Sequence, residues 1–475
     1  MIKNFEYKGL WFLPSNANKK IPGILKYDYE NNKNTLELIG SFYEYSNYEG
    51  EDIILGITTD GDDITLSDCS FKSSTGIPRN KPNKTSKNEE NEFSTLNFRI
   101  RTVLKGHHFL KKEDLVFQQI YLEIFNLDEW IGISGFETDN DYKNNTKNIN
   151  YQTPEPIKVN VNDDIDLEIK FLSNHPIKFR FTKELKLSQK TIFSLQSKKY
   201  KTLNEFIYLV QKFKYFLSTS LQKPSRIENI ELYSDKITEN IGSQEMLQKA
   251  INGYQIINPE LKFEQKQHPW EMLFTFNDIK SDFELIMKNW FSNYEHFEAP
   301  FNLVLNQYYV SKYYLENLFI NVAQAAESFH RRLDLVDDTP KKEQDLEFEN
   351  KVNRVIDSSP TELKAWVKSR ISKPKHFYDA RLKYILKEFS NNELDKMIGS
   401  HKIFVKDVVM SRNYYTHYNK AQKKDAADGI ELVRLYQKLK LLLISAFLIE
   451  SGFDKSKLES LIKEKSYNLF GHLLE

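Results

Sequence analysis

The spacing of hydrophobic residues changes once along this chain of 475 residues, near residue 200, and that change limits the folds open to it. Before it, apolar and polar residues alternate with a period of two, as at 98–104 and 165–169, which is typical of half-buried β-strands. After it, apolar residues recur at the spacing of one helix face, at Leu203, Phe206, Ile207, Val210, Phe213 and Leu217. The sequence therefore predicts an α+β protein.

Three regions follow from this pattern. We expect a β-rich N-terminal domain over 1–195, a mainly helical connector over 196–303 and a C-terminal helical bundle over 304–475. The bundle ends in a long apolar helix that stops at Gly452. Two stretches rich in polar residues, 80–91 and 138–150, are predicted to be loops of the first domain.

Composition excludes several classes of protein. The 67 Lys and Arg balance the 67 Asp and Glu, which argues against a general nucleic-acid coat protein and an acidic disordered chain. Within 301–475, however, there are 29 basic and 24 acidic residues, so the helical end is mildly cationic. A single cysteine, Cys69, and the lack of a leader or a long apolar run predict a cytoplasmic protein with no membrane partner.

Searches for common catalytic and cofactor motifs give nothing. The sequence contains no Gly-rich phosphate loop, no HExxH metal helix and no Gly-x-Ser-x-Gly elbow. His107 and His108 are adjacent and point apart on a strand or a helix, so they make a poor metal site. We therefore expect neither a metal nor a cofactor.

What remains is the segment 410–418, in which Arg412 is followed by Asn413 and, after three more residues, by His417. RNA cleavage without a metal needs a proton acceptor for the 2′-OH, a cation for the phosphoryl oxygens and an acid for the leaving oxygen. Histidine suits the proton steps because its unperturbed pKa, about 6.5, lies near neutral pH. Arginine suits the phosphate because its planar fork is always charged.

This spacing alone is weak evidence. Four pairs in the sequence have Arg followed by His after four to six intervening residues: Arg101–His107, Arg101–His108, Arg370–His376 and Arg412–His417. Only the last follows an apolar helical run and precedes a long helix, and ordinary surface roles explain even that pair. On a continuous helix, moreover, side chains five residues apart point about 140° apart. For both side chains to reach one phosphate, either the helix ends or distorts between Arg412 and His417, or two copies of the chain meet at the site.

The same residues resemble a known family. Residues 412–417 are similar to the RNxxxH form of the HEPN ribonuclease motif, and 318–333 and 432–452 resemble the long helices that flank it in HEPN domains. The N-terminal part resembles ApeA-like antiphage proteins. It does so in residues 9–14, 22–25 and 36–40, and in 274–291, which contains Asn289, Trp290 and Phe291.

This resemblance implies a metal-independent endoribonuclease of bacterial antiphage defence, of the abortive-infection type. His417 would then be the general acid and base, Arg412 the phosphate ligand and Asn413 a positioning group, with Glu327 and His330 as auxiliary residues on a facing helix. It also implies an RNA partner (transfer RNA is one candidate), a homodimer formed by the HEPN domain and a phage-derived trigger. The alternative is a HEPN domain that binds RNA or nucleotides, or only dimerises, without cleavage.

Overall fold

A computed structural model describes residues 4–28, 33–43, 50–75, 95–174, 176, 181, 183–241, 245–255, 265–310, 313–336, 343–370 and 378–474. The chain divides into two compact units, 1–288 and 289–475, and the division falls inside one helix. The polar loop predicted for 80–91 lies outside the described residues.

The first unit is built mainly of strands. In chain order they are β1 (Phe5–Leu13), β2 (Asn16–Asp28), β3 (Lys33–Ile39), β4 (Glu51–Thr58), β5 (Asp63–Thr75), β6 (Thr95–Lys105), β7 (Val116–Ile124), β8 (Phe136–Asp141), β9 (Thr146–Tyr151), β10 (Ile157–Asn160), β11 (Ile165–Ser173), β12 (Gln189–Thr202), β13 (Ile227–Tyr233), β14 (Thr238–Ile241), β15 (Glu245–Gln248) and β16 (Ile251–Gln255). The helices among and after them are α1 (Leu127–Ile131), α2 (Leu203–Leu221), α3 (Phe276–Ile279) and α4 (Phe283–His296).

A closed barrel forms the N-terminal end of this unit. Antiparallel pairing runs β6-β3-β2-β1-β4-β5, and β5 pairs back with β6, so these six strands close on themselves. From β6 the sheet continues through β16, β13, β7, β12 and β11 to β10. Closure leaves the barrel strands without an unpaired edge, which is how all-antiparallel sheets avoid edge-to-edge association.

Trp11 lies at the centre of the barrel core and is fully buried. Its indole packs against the backbone at Gly23 and Gly56, where an added Cβ would overlap the ring. These glycines are therefore needed for close packing on a large side chain. The surrounding core consists of the inward-facing residues Leu25, Leu36, Leu38, Ile54, Leu66, Leu96, Phe98 and Val103.

The helix predicted to begin near residue 203 is α2, and its start is a capping box. Thr202 accepts the Glu205 backbone N–H at 3.3 Å, and the Glu205 carboxylate accepts the Thr202 backbone N–H at 2.7 Å. Most of the predicted apolar face of α2 is buried, with Ile207 only half-buried.

The region 196–303, predicted to be a mainly helical connector, contains strands as well as helices in the structure. Strands β13 and β16 lie within it and continue the large sheet past residue 195. The predicted loop 138–150 is also wrong, because β8 and β9 pair there as a hairpin around residues 142–145. The hairpin is not recognisable from sequence alone, because exposed strands rich in Asn, Asp and Lys have the composition of loops.

The second unit is helical. Its helices are α5 (Glu298–Leu305), α6 (Leu315–Val336), α7 (Glu343–Ser358), α8 (Thr361–Arg370), α9 (Tyr378–Phe389), α10 (Asn392–Ile398), α11 (His401–His417), α12 (Gly429–Glu450) and α13 (Lys455–Leu474). The α+β fold class and the helical C-terminal bundle are therefore confirmed.

Helix α6 is central to the bundle and packs against α5, α9, α11 and α12. Aromatic rings fill the core: Phe447 of α12 lies 4.3 Å from Phe301 and 5.4 Å from Phe329, ring centroid to centroid. Helix α12 is buried along most of its second half, as its apolar sequence predicts. Among the helices of the described residues, none has both the length and the hydropathy required to span a bilayer.

Candidate active site

Helix α11 carries Arg412, Asn413 and His417 and is continuous through all three. It ends directly after His417, where Tyr418 adopts the left-handed conformation with φ of 49° and donates its backbone N–H to the Tyr414 carbonyl. The first way of bringing Arg412 and His417 together, an end to the helix between them, is therefore wrong.

The Arg412 guanidinium lies among three helices. One of its nitrogens donates to the Glu327 carboxylate of α6 at 3.2 Å, and the other donates to the Asn413 side-chain oxygen at 3.2 Å. The guanidinium carbon lies 5.4 Å from the centre of the Tyr378 ring, which belongs to α9. Burial raises the pKa of the Tyr378 phenol well above its usual value, and that phenol donates to the Ala323 carbonyl at 2.9 Å. Glu327 and Asn413 hold the Arg412 guanidinium in place, but the Arg412 side chain remains one-third exposed.

Glu327 is shared between two arginines. Its other carboxylate oxygen accepts from Arg331, one turn along α6, at 2.5 Å. A shallow cavity of about 300 Å³ adjoins this pair, lined by Gln324, Glu327, Ser328 and Arg331. A carboxylate between two guanidiniums is stabilised as an anion and fixes the position of both.

Asn413 and His417 lie on the same face of α11. Four residues turn a helix by about 400°, which leaves their side chains about 40° apart and one turn from each other. Arg412 points about 140° away from His417 and towards α6 and α9. The His417 side chain is exposed, and within the described part of the chain it makes no hydrogen bond or ion pair.

His330, the second auxiliary candidate, is buried at 5% exposure beside α9. Its Nδ1 accepts a hydrogen bond from Arg381 at 3.0 Å, and its ring meets Tyr384 edge to face at 4.9 Å between centroids. Because arginine only donates, His330 is the neutral tautomer with its proton on Nε2. These contacts describe a histidine packed in the bundle, whereas Glu327 lies against the motif.

Two residues that sequence reasoning missed fix the end of α11. The hydroxyl of Ser411, which is fully buried, accepts the Ala427 backbone N–H at 2.9 Å, and Tyr415 donates to the Ala427 carbonyl at 2.8 Å. Burial raises the pKa of Tyr415 to about 12, so its hydroxyl keeps its proton at neutral pH.

The competing Arg–His pairs lie elsewhere. Arg101 is on β6, and the His108 Nε2 lies 2.8 Å from the Gly56 carbonyl of the barrel. His376 lies outside the described residues. Within the part of the chain that is described, no group of three or more His, Cys, Asp or Glu side chains is arranged to hold a metal ion.

Comparison with protein families gives two matches. A family model described as ApeA N-terminal domain 1 matches residues 6–290, and one described as Apea-like HEPN matches residues 320–457. The second match spans α6 to α12 and therefore contains Glu327, Arg412 and His417. No curated protein and no solved structure matches the chain.

Proposed function

The chain belongs to the ApeA family, and on that premise we propose that it is a metal-independent endoribonuclease of bacterial antiphage defence. The observation that carries the proposal is the arrangement on α11. A guanidinium held by Glu327 but still open to solvent lies five residues from an exposed histidine, with Asn413 between them. This set supplies the cation and the proton carrier that RNA cleavage requires.

In the proposed reaction the ribose 2′-oxygen attacks the adjacent phosphorus. The bond from the 2′-oxygen to phosphorus forms as the bond from phosphorus to the 5′-oxygen breaks, which leaves a 2′,3′-cyclic phosphate and a 5′-hydroxyl end. The His417 imidazole accepts the 2′-OH proton and, once protonated, gives a proton to the leaving 5′-oxygen. Arg412 binds the phosphoryl oxygens as negative charge accumulates on them.

The site needs two copies of the chain. Arg412 and His417 diverge on one straight helix, so a phosphate at one guanidinium is poorly placed for the imidazole of the same chain. A two-fold dimer of the helical unit brings His417 of the partner subunit to the phosphate at Arg412, so that each dimer has two such sites, and it pools two mildly cationic surfaces around the RNA. The β-rich unit is proposed to sense or regulate, and the protein to act in the cytoplasm.

The test is a cleavage assay with total RNA in the presence of a chelator. We expect wild type to produce cyclic phosphate ends and His417→Ala to lose about 10²–10⁴-fold in rate. Arg412→Lys keeps the charge but loses the fork, and we expect it to lower kcat strongly. His268→Ala, at an exposed histidine of the first unit, is the matched control and should keep full activity.

Equal cleavage by wild type and His417→Ala would contradict the proposal. Binding of RNA without any cleaved product would favour a non-cleaving HEPN module instead. Sequencing RNA ends from cells that express wild type or His417→Ala would identify the target class, including transfer RNA.

A further inference from the structure

A groove of about 750 Å³ lies between α9 and α11, beside the motif. Its floor is aliphatic, with Leu386 and Val405 buried and Val409 and Met410 half-buried. An aliphatic floor of this size on the helix that carries the candidate catalytic residues requires an explanation, because exposed apolar grooves mark binding surfaces.

The rim of the groove is cationic. Lys383 and Lys387 extend from α9, and Lys402 and Lys406 extend from α11. The acidic residue of the lining is Asp379, whose carboxylate is held by Lys383 at 2.8 Å. Lys402 and Lys406 are exposed and, within the described ranges, form no ion pair, so the α11 side of the groove presents two ammonium groups that are not held in a salt bridge.

The groove leads to the motif along both walls. On α11, Lys406, Met410, Asn413 and His417 follow one another at the spacing of a single helix face. On α9, the lining begins at Asp379, next to Tyr378, whose ring lies beneath the Arg412 guanidinium. From Lys402 to Asn413 the helix rises about 17 Å, so the groove extends well beyond one phosphate.

We propose that this groove binds the single-stranded RNA chain that leads away from the phosphate at Arg412. The inference rests on the proposed function and adds a binding site to it. Lys402 and Lys406 contact successive backbone phosphates, while the aliphatic floor receives the faces of bases and riboses. Charge favours RNA over a second copy of the chain, because the lining offers free cations and one acid already paired within it.

The test measures binding separately from cleavage. The probe is a short single-stranded RNA with 2′-O-methyl riboses, which lacks the attacking hydroxyl and stays intact whether or not the protein cleaves RNA. Its Kd is measured for the full-length protein at several salt concentrations. Each lost phosphate contact with a single strand should reduce the slope of log affinity against log salt by about 0.7.

We expect Lys402→Gln and Lys406→Gln each to weaken binding and to lower that slope by about 0.7, and the double variant by about 1.4. Lys463→Gln, at an exposed lysine of α13, is the matched control and should leave both quantities unchanged. Thermal unfolding of each variant confirms that it is folded. An unchanged slope in the double variant overturns the proposal, even if wild type cleaves RNA.

A second outcome also overturns it. If a second copy fills the groove, Val409→Glu shifts the monomer–dimer equilibrium in sedimentation while the lysine variants bind RNA as wild type does. Failure of the proposed function gives a different result. In that case wild type produces no cyclic phosphate ends from natural RNA, and this holds for any salt dependence of its RNA affinity.

Discussion

A carboxylate oxygen of Glu327 accepts a hydrogen bond from the Arg412 guanidinium at 3.2 Å, and this contact joins α6 to α11 at the motif. The same carboxylate accepts from Arg331 at 2.5 Å. Glu327 therefore holds the group that we propose binds the phosphate. The contact fixes where the guanidinium points, and it must be shared or exchanged when a phosphate arrives.

The first prediction concerns Glu327. Glu327→Ala should lower kcat for RNA cleavage by about tenfold, because Arg412 loses the partner that orients it and small misplacements of catalytic groups are costly. Glu327→Gln keeps one acceptor and should lose less. Steady-state cleavage at saturating RNA measures the effect.

Glu393→Gln is the control for this prediction, since Glu393 forms an ion pair with Lys396 at 2.6 Å within α10. It removes a carboxylate from the same bundle without touching the motif and should leave kcat unchanged. A Glu327→Ala protein as active as wild type would show that Arg412 needs no such support.

A second prediction concerns the barrel core. Gly56→Ala should lower the free energy of unfolding by about 1–3 kcal/mol, because the new methyl group overlaps the six-membered part of the Trp11 indole. Chemical denaturation measures this loss. In a Trp11→Phe background the same substitution should cost less, since the overlapping ring atoms are gone. Equal costs in both backgrounds would mean that the strain arises elsewhere.

The third prediction concerns Lys214 of α2, which is 2% exposed. Burial lowers the pKa of its ammonium group from 10.5 to about 8. Between these values the unfolded chain binds more protons than the folded one, so wild-type stability increases with pH through this window. Below about pH 8 the buried ammonium charge lowers the free energy of unfolding, and Lys214→Met removes this loss.

We therefore expect Lys214→Met to be more stable than wild type at pH 7, by up to about 3 kcal/mol, with the difference shrinking towards pH 10.5. Denaturant unfolding of both proteins across this range measures it. Lys199→Met, at an exposed lysine of β12, is the control and should show no such trend. A difference that does not vary with pH would show that the buried charge of Lys214 is not its cause.

Local periodicity predicted the two halves of the fold because it reports which face of a strand or helix is buried. It could not predict the closure of the barrel, since the pairing of β5 with β6 depends on contacts between segments that are distant in sequence. The hairpin of β8 and β9 was missed because both strands are polar and largely exposed.

The candidate site shows the same limit. Arg412, Asn413 and His417 are neighbours in sequence, so their pattern was visible without a structure. Glu327 lies 85 residues before Arg412, and only the packing of α6 on α11 decides that it touches the motif while His330, three residues later, binds Arg381. No local pattern distinguishes those two positions.

The last prediction tests whether the site is shared between two chains. Arg412→Ala and His417→Ala should each be inactive alone, and a mixture of the two should recover activity, because a mixed dimer has one site with Arg412 from one chain and His417 from the other. If the chains exchange freely, about half of the dimers are mixed and one of their two sites is intact, which gives about a quarter of the wild-type rate. The measurement is RNA cleavage after the two variants are mixed and allowed to exchange. A mixture as inactive as its components, in a protein that sediments as a dimer, would show that each chain builds its own site despite the divergence of the two side chains on α11.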